Sequence, residues 1–248
     1  MRSVLLVVTL SAVAAACGGS PTGPTDPPRF PRISRTHFLA FGDSFTAGEV
    51  TNPITSQFGA VSAEWGATKQ IVVPSASYPT VLQSHLRTTY TNQATTISVI
   101  NAGEPNERIL DGAQRFPGIY DATRPEVVLL MEGVNGLPGV GPDISAGVMR
   151  IMVQHAKAGG SRVFVGSMIP QVPGRPRGNT PTSELLAYNV TLRLMSQQEG
   201  IAFVDLYAAM LADAATLLGS DGLHPTEAGY RRIAELFFAA IRADLEVR

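Results

Sequence analysis

Hydrophobic positions along the chain fall into two patterns. Five short runs rich in β-forming residues occupy 37–41, 96–100, 127–131, 162–165 and 201–204, and Gly, Asn, Asp or Glu follows each. Runs of that length, bounded that way, predict buried strands. Between them the apolar spacing becomes helical. Over 78–89, Val81, Leu82 and Leu86 share a face, and over 144–158 Val148, Ile151, Met152 and His155 do the same. The stretches 184–199 and 226–246 are the clearest amphipathic helices. Strands alternating with helices predict an α/β fold whose parallel sheet is covered on both faces, because crossover helices hide the sheet from water. No internal repeat is present.

Two segments break the alternation. Residues 49–77 are long, mixed and Gly-containing, and hold the single tryptophan, Trp65; residues 170–181 form a Pro/Gly loop carrying Arg175 and Arg177. Loops of such length in a compact domain are often functional. Phe58, Val61 and Trp65 suit an acyl chain, and suit packing beneath a loop equally well. The arginines suit an anionic head group, although solvated loop charges are the commoner case.

The amino terminus stands apart from this pattern. Arg2 precedes thirteen apolar or small residues, 4–16, and then Cys17, the only cysteine of the chain. That stretch is short for a membrane span and suits the apolar region of an export leader. The small residues Ala14, Ala15 and Ala16 before Cys17 resemble the lipobox of bacterial lipoproteins, with Ala14 where that motif usually has Leu. The resemblance implies a leader over 1–16, a lipid on Cys17 and a membrane anchor in the cell envelope; otherwise the chain is secreted. Residues 17–32, dense in Gly, Pro, Ser and Thr, read as a tether. At 248 residues, 44% hydrophobic, the remainder can bury a full core. Net charge is −1 with no basic run, so nothing favours nucleic acid.

In open α/β sheets the reactive groups collect at the carboxyl ends of the strands. There the chain carries Gly42-Asp43-Ser44, then Asn101-Ala102-Gly103, then Glu132-Gly133-Val134-Asn135-Gly136; Asp221 and His224 precede the last helix. Serine becomes a nucleophile when a base takes its proton and a carboxylate fixes that base's tautomer. Asp221 and His224, three apart, can meet through Nδ1 while Nε2 faces a serine. Asn135 and the Gly103 N–H suit an oxyanion, and Pro225 suits the first turn of the closing helix. Singly, each residue is as readily a turn or cap residue. His37, His85 and His155 are assigned to surface or packing. No serine has the Gly-x-Ser-x-Gly frame of an α/β-hydrolase elbow, and no His-Glu-x-x-His zinc motif occurs.

In order and spacing, these blocks resemble the SGNH (GDSL-type) hydrolase family from about Thr36 onward. "FGDSFTAG" implies Ser44 as nucleophile and first oxyanion N–H. "NAG" implies Gly103 as a backbone donor, "GVNG" Asn135 as a side-chain donor, and "DGLHP" Asp221 and His224 as the rest of a triad. Two departures stand out: Gly136 replaces the family's usual Asp, implying altered loop support, and Glu104-Pro105 follows Gly103. The resemblance implies a three-layer α/β/α sandwich of flavodoxin type with five parallel strands, over 33–248. It implies a monomeric serine esterase acting on a small-molecule or glycan ester, with no metal or organic cofactor. Acyl transfer or deacetylation of acetylated carbohydrate stays open, as does a non-catalytic binding module of this fold.

Overall fold

The computed structural model describes residues 30–53 and 68–247. The leader, Cys17, most of the tether, and Phe58, Val61 and Trp65 lie outside the described residues. In chain order the strands are β1 (Arg32–Ile33), β2 (His37–Gly42), β3 (Glu49–Pro53), β4 (Thr68–Val72), β5 (Ser98–Gly103), β6 (Val127–Met131), β7 (Arg162–Gly166), β8 (Ala202–Val204) and β9 (Glu246–Val247). The helices are α1 (Ser44–Ala47), α2 (Tyr78–Thr89), α3 (Ile109–Thr123), α4 (Leu137–Val140), α5 (Pro142–Ala158), α6 (Thr182–Glu199), α7 (Leu206–Met210), α8 (Ala214–Leu217) and α9 (Glu227–Leu245).

The five runs of β-formers are the strands of one parallel sheet, ordered β5-β2-β6-β7-β8. Its centre is β6, Val-Val-Leu-Leu-Met, buried at every position, as expected where helices cover both faces. The edge strand β5 is half-exposed and carries Ile100 at the surface. Helices α2 and α9 pack together on one face, and α3, α5 and α6 on the other. This is the three-layer α/β/α sandwich expected from the sequence. The register sets Gly42 level with Gly103 on one side and with Met131 on the other, so three strands end at one height.

Three details differ from the sequence reading. The helix α3 was not legible, because Gly112, Pro117 and Gly118 interrupt its pattern, yet Ile109, Phe116 and Tyr120 bury a continuous face. The sequence spacing puts Ile151 on the inner face of α5, but it is 61% exposed; Met149, Val153 and Ala156 join Met152 on that face. Part of the irregular 49–77 segment is a hairpin, with β3 and β4 antiparallel from Glu49↔Val72 to Pro53↔Thr68. At the far pole, β1 pairs antiparallel with β9.

Candidate active site

Strand β2 ends at Gly42, and the chain turns at once into the single turn α1. Asp43 caps that turn: its Oδ1 accepts the Phe45 N–H at 3.0 Å, and its carbonyl accepts those of Thr46 and Ala47. Ser44 is therefore the first residue of α1, at the carboxyl edge of the sheet.

The loop before α9 supplies the groups that face it. His224 Nε2 lies 2.9 Å from Ser44 Oγ, and His224 Nδ1 lies 2.6 Å from Asp221 Oδ2. Asp221 Oδ1 accepts the backbone N–H groups of Leu223 and His224, at 3.0 Å each. Spacing of three thus lets one carboxylate grip both the ring and the backbone of the same histidine. The loop closes through Gly219 N–H to the His224 carbonyl, 2.7 Å, and a Leu218–Pro225 bridge. Thr226 caps α9, accepting the Gly229 N–H on Oγ1. Pro225 therefore stands ahead of the cap, outside the first turn where the sequence suggested it.

All three side chains are withdrawn from water: Ser44 is 3% exposed, His224 1% and Asp221 0%. Burial pushes the Asp221 carboxyl up, but the bonds from the His224 ring and from the Leu223 and His224 N–H groups outweigh it. The net effect holds Asp221 below the usual carboxylate range.

Two further acids lie in and beside the Ser44 turn. Asp43 is raised from 3.8 to about 7, chiefly by burial, against the opposing pull of the Phe45 N–H and His224. Glu132, at the end of β6, is pushed well up by burial and by the neighbouring Asp43 and Glu107. Buried carboxyls this close disfavour one another's charge.

The structure brings Gly103 and Asn135 to the same edge. Gly103 ends β5 against α1, and a Cβ there would stand 2.0 Å from the Ala47 nitrogen, so only glycine allows this approach. Its N–H donates to Asn101 Oδ1 at 3.0 Å. The Asn135 amide donates one N–H to the Glu107 carbonyl at 3.0 Å, which fixes its plane. Glu107 is in turn clamped by the Arg115 guanidinium at 2.7 and 2.6 Å. Gly136, where the family pattern usually has Asp, sits at φ 81° and caps the short helix α4. Its left-handed backbone accounts for glycine at that position.

One residue near the histidine had no signal in sequence. Glu49, first residue of β3, is 3% exposed, and its Oε1 lies 3.9 Å from His224 Nε2 with no hydrogen-bond donor among the described residues. The Pro/Gly loop 170–181 also reaches the site. Val172 N–H bonds the Gly222 carbonyl and Arg177 N–H the Asp221 carbonyl, both at 2.8 Å. Together with the Asn135 turn it walls a cavity of about 270 Å³, lined by Val134, Asn135, Gly136, Pro138, Arg177, Asn179, Thr180 and Leu223.

No curated protein sequence matches the chain. Among solved structures it resembles an alpha/beta hydrolase enzyme from the metagenome of Lake Arreo, Spain, at 20% identity and a TM-score of 0.64, covering 84% of this chain and 95% of that one. A lipase/acylhydrolase from Enterococcus faecalis is similar at 20% identity and a TM-score of 0.61, over 85% and 97% of the two chains. An acetylxylan esterase from Geobacillus stearothermophilus is similar at 20% identity and a TM-score of 0.63, over 84% and 94%. These likenesses show a shared fold. The model of the GDSL-like lipase/acylhydrolase family matches residues 40–232, from β2 into α9, so the chain belongs to that family of ester-hydrolysing enzymes.

Proposed function

We propose that the protein is a serine esterase that works through Ser44, His224 and Asp221. The reading rests above all on the unbroken chain of contacts Ser44 Oγ, His224 Nε2, His224 Nδ1, Asp221 Oδ2, at 2.9 and 2.6 Å. His224 Nε2 takes the Ser44 proton as Oγ attacks the ester carbonyl. Asp221 holds the ring in the tautomer that leaves Nε2 free, and stabilises the imidazolium that forms. The imidazolium then protonates the leaving alcohol, and water repeats the cycle on the acyl-enzyme.

The negative oxygen of the tetrahedral intermediate is held by the N–H groups of Ser44 and Gly103 and by the second N–H of Asn135. Gly103 shares its N–H between Asn101 Oδ1 and the oxyanion as charge develops. Loss of one such donor typically costs ~10²–10³ in turnover.

The cavity next to Asn135 supports a polar alcohol on the substrate. Its wall includes an amide pair, a hydroxyl and a guanidinium, from Asn135, Asn179, Thr180 and Arg177. Such groups match the hydroxyls of a sugar better than an alkyl chain. One of the similar folds belongs to an acetylxylan esterase, and acetylated carbohydrate is the substrate class proposed here.

A panel of p-nitrophenyl esters of increasing chain length and of acetylated xylo-oligosaccharides, with wild type and Ser44→Ala, tests this. Wild type is expected to release acetate from the glycans, and Ser44→Ala to lose at least ~10³ of the rate. Activity surviving in Ser44→Ala sinks the mechanism; preference for long acyl chains over acetyl sinks the substrate class.

A further inference from the structure

We propose that Glu49 positions the water that hydrolyses the acyl-enzyme. The inference rests on the serine-esterase reading above and concerns its second half-reaction. The observation behind it is a buried carboxyl oxygen with no donor among the described residues, facing the nitrogen that must activate that water. Glu49 Oε1 stands 3.9 Å from His224 Nε2, and both side chains are at least 96% withdrawn from solvent. A buried acceptor without a partner requires an explanation, and one that recurs is a catalytic role.

The spacing suits a bridge better than a direct contact. At 3.9 Å the two atoms are too far apart for a hydrogen bond, but a molecule of water making bonds of ~2.8 Å to each closes the gap. In the free enzyme Nε2 is occupied by the Ser44 hydroxyl at 2.9 Å. Once Oγ is acylated that proton is gone, and Nε2 needs a new donor on the same side. A water donating one hydrogen to Nε2 and the other to Glu49 Oε1 has its lone pair left to attack. Its oxygen bonds to the acyl carbon as the first proton passes to Nε2. The C–Oγ bond then breaks, the imidazolium returns that proton to Ser44, and the acid leaves with the second proton.

The backbone that carries this side chain is fixed. Glu49 follows directly on the nucleophile turn, Gly48 carbonyl accepts the Val73 N–H at 3.0 Å, and Tyr230 Oη donates to the Glu49 carbonyl at 2.5 Å. The main chain at Glu49 is thus held by the Ser44 turn, by the residue after β4 and by α9, and its carboxyl faces Nε2, the ring nitrogen that Asp221 does not touch.

The test separates acylation from deacylation in full-length protein, using p-nitrophenyl acetate under stopped flow and mass spectrometry of the quenched enzyme. Glu49→Gln is expected to keep the burst rate within about twofold while deacylation falls about tenfold or more, so acetyl-Ser44 accumulates. Labelling by a fluorophosphonate at the wild-type rate checks that the variant is folded with Ser44 and His224 engaged. Glu49→Asp, which keeps the carboxyl group but withdraws its oxygen by one methylene, should show the same split. Equal slowing of both steps in Glu49→Gln, no slowing of either, or full deacylation in Glu49→Asp overturns the proposal. Failure of wild type to label or to acylate at Ser44 would instead sink the serine-esterase reading itself.

Discussion

Asp43 does two jobs at once. Its backbone and Oδ1 build the turn that presents Ser44, while its carboxyl is buried beside Glu132 and raised from 3.8 to about 7, mainly by burial. An acid whose folded pKa is raised binds its proton more tightly in the native chain. The stability it contributes is complete below about pH 3.8 and is lost as pH rises through about 7. Asp221 is shifted the other way and contributes above the ordinary carboxylate range, losing its share as pH falls through its lowered pKa. The melting temperature of wild type is therefore expected to decline between pH 4 and 7, and Asp43→Asn to flatten that decline. Glu132 is raised as well, so some slope remains in the variant. Thermal denaturation across that range checks it, and an unchanged slope would remove Asp43 as the titrating group.

At the scale of elements, the close approach of β5 to α1 brings the proposed oxyanion donor Gly103 beside the Ser44 turn. Gly103→Ala would place a Cβ 2.0 Å from the Ala47 nitrogen, with the Ala47 Cα and Thr46 carbonyl carbon within 2.6 Å. Backbone on both sides leaves no flexible atom to yield, so strand and turn must separate. A loss of about 1–3 kcal/mol in urea denaturation is expected, together with a larger loss of turnover on p-nitrophenyl acetate. A fully active Gly103→Ala would show that the approach is not needed.

The five sheet strands were legible because each is a short apolar run followed by a turn residue, and α2, α5 and α9 because their apolar spacing is regular; α6 is less one-sided than the sequence suggests, since Leu186, Val190 and Leu194 lie exposed opposite buried Leu185, Leu192 and Met195. Others were hidden for physical reasons. In α3 the helical face is carried by residues spaced around Gly112, Pro117 and Gly118, whose propensities argue against a helix. In α5, Ile151 is apolar but exposed, and the face was misjudged by one position because Met149 and Val153 bury instead. The hairpin β3–β4 is polar and contains Pro53, so neither alternation nor composition marks it.

Over the whole molecule, the order of strand-end clusters was enough to bring Ser44, Gly103, Asn135, Asp221 and His224 to one edge, since a parallel sheet gathers those ends together. Glu49 was not legible, because its approach to His224 depends on a tertiary meeting between β3 and the loop before α9. The envelope location is a proposal of the same scale. Mass spectrometry of the membrane fraction should find diacylglycerol on Cys17, and a processed but free thiol there would end it. The small pairing of β1 with β9 then acquires a directional meaning. It brings residues 32–33 against Glu246 and Val247, beside Gln93, at the pole where β2 and β5 begin. Ser44 lies at the other pole, where those strands end. A chain anchored through its amino terminus would thus join its tether to the domain at the base of the sheet, on the pole opposite Ser44, so that the anchor and the candidate site need not compete for the same face.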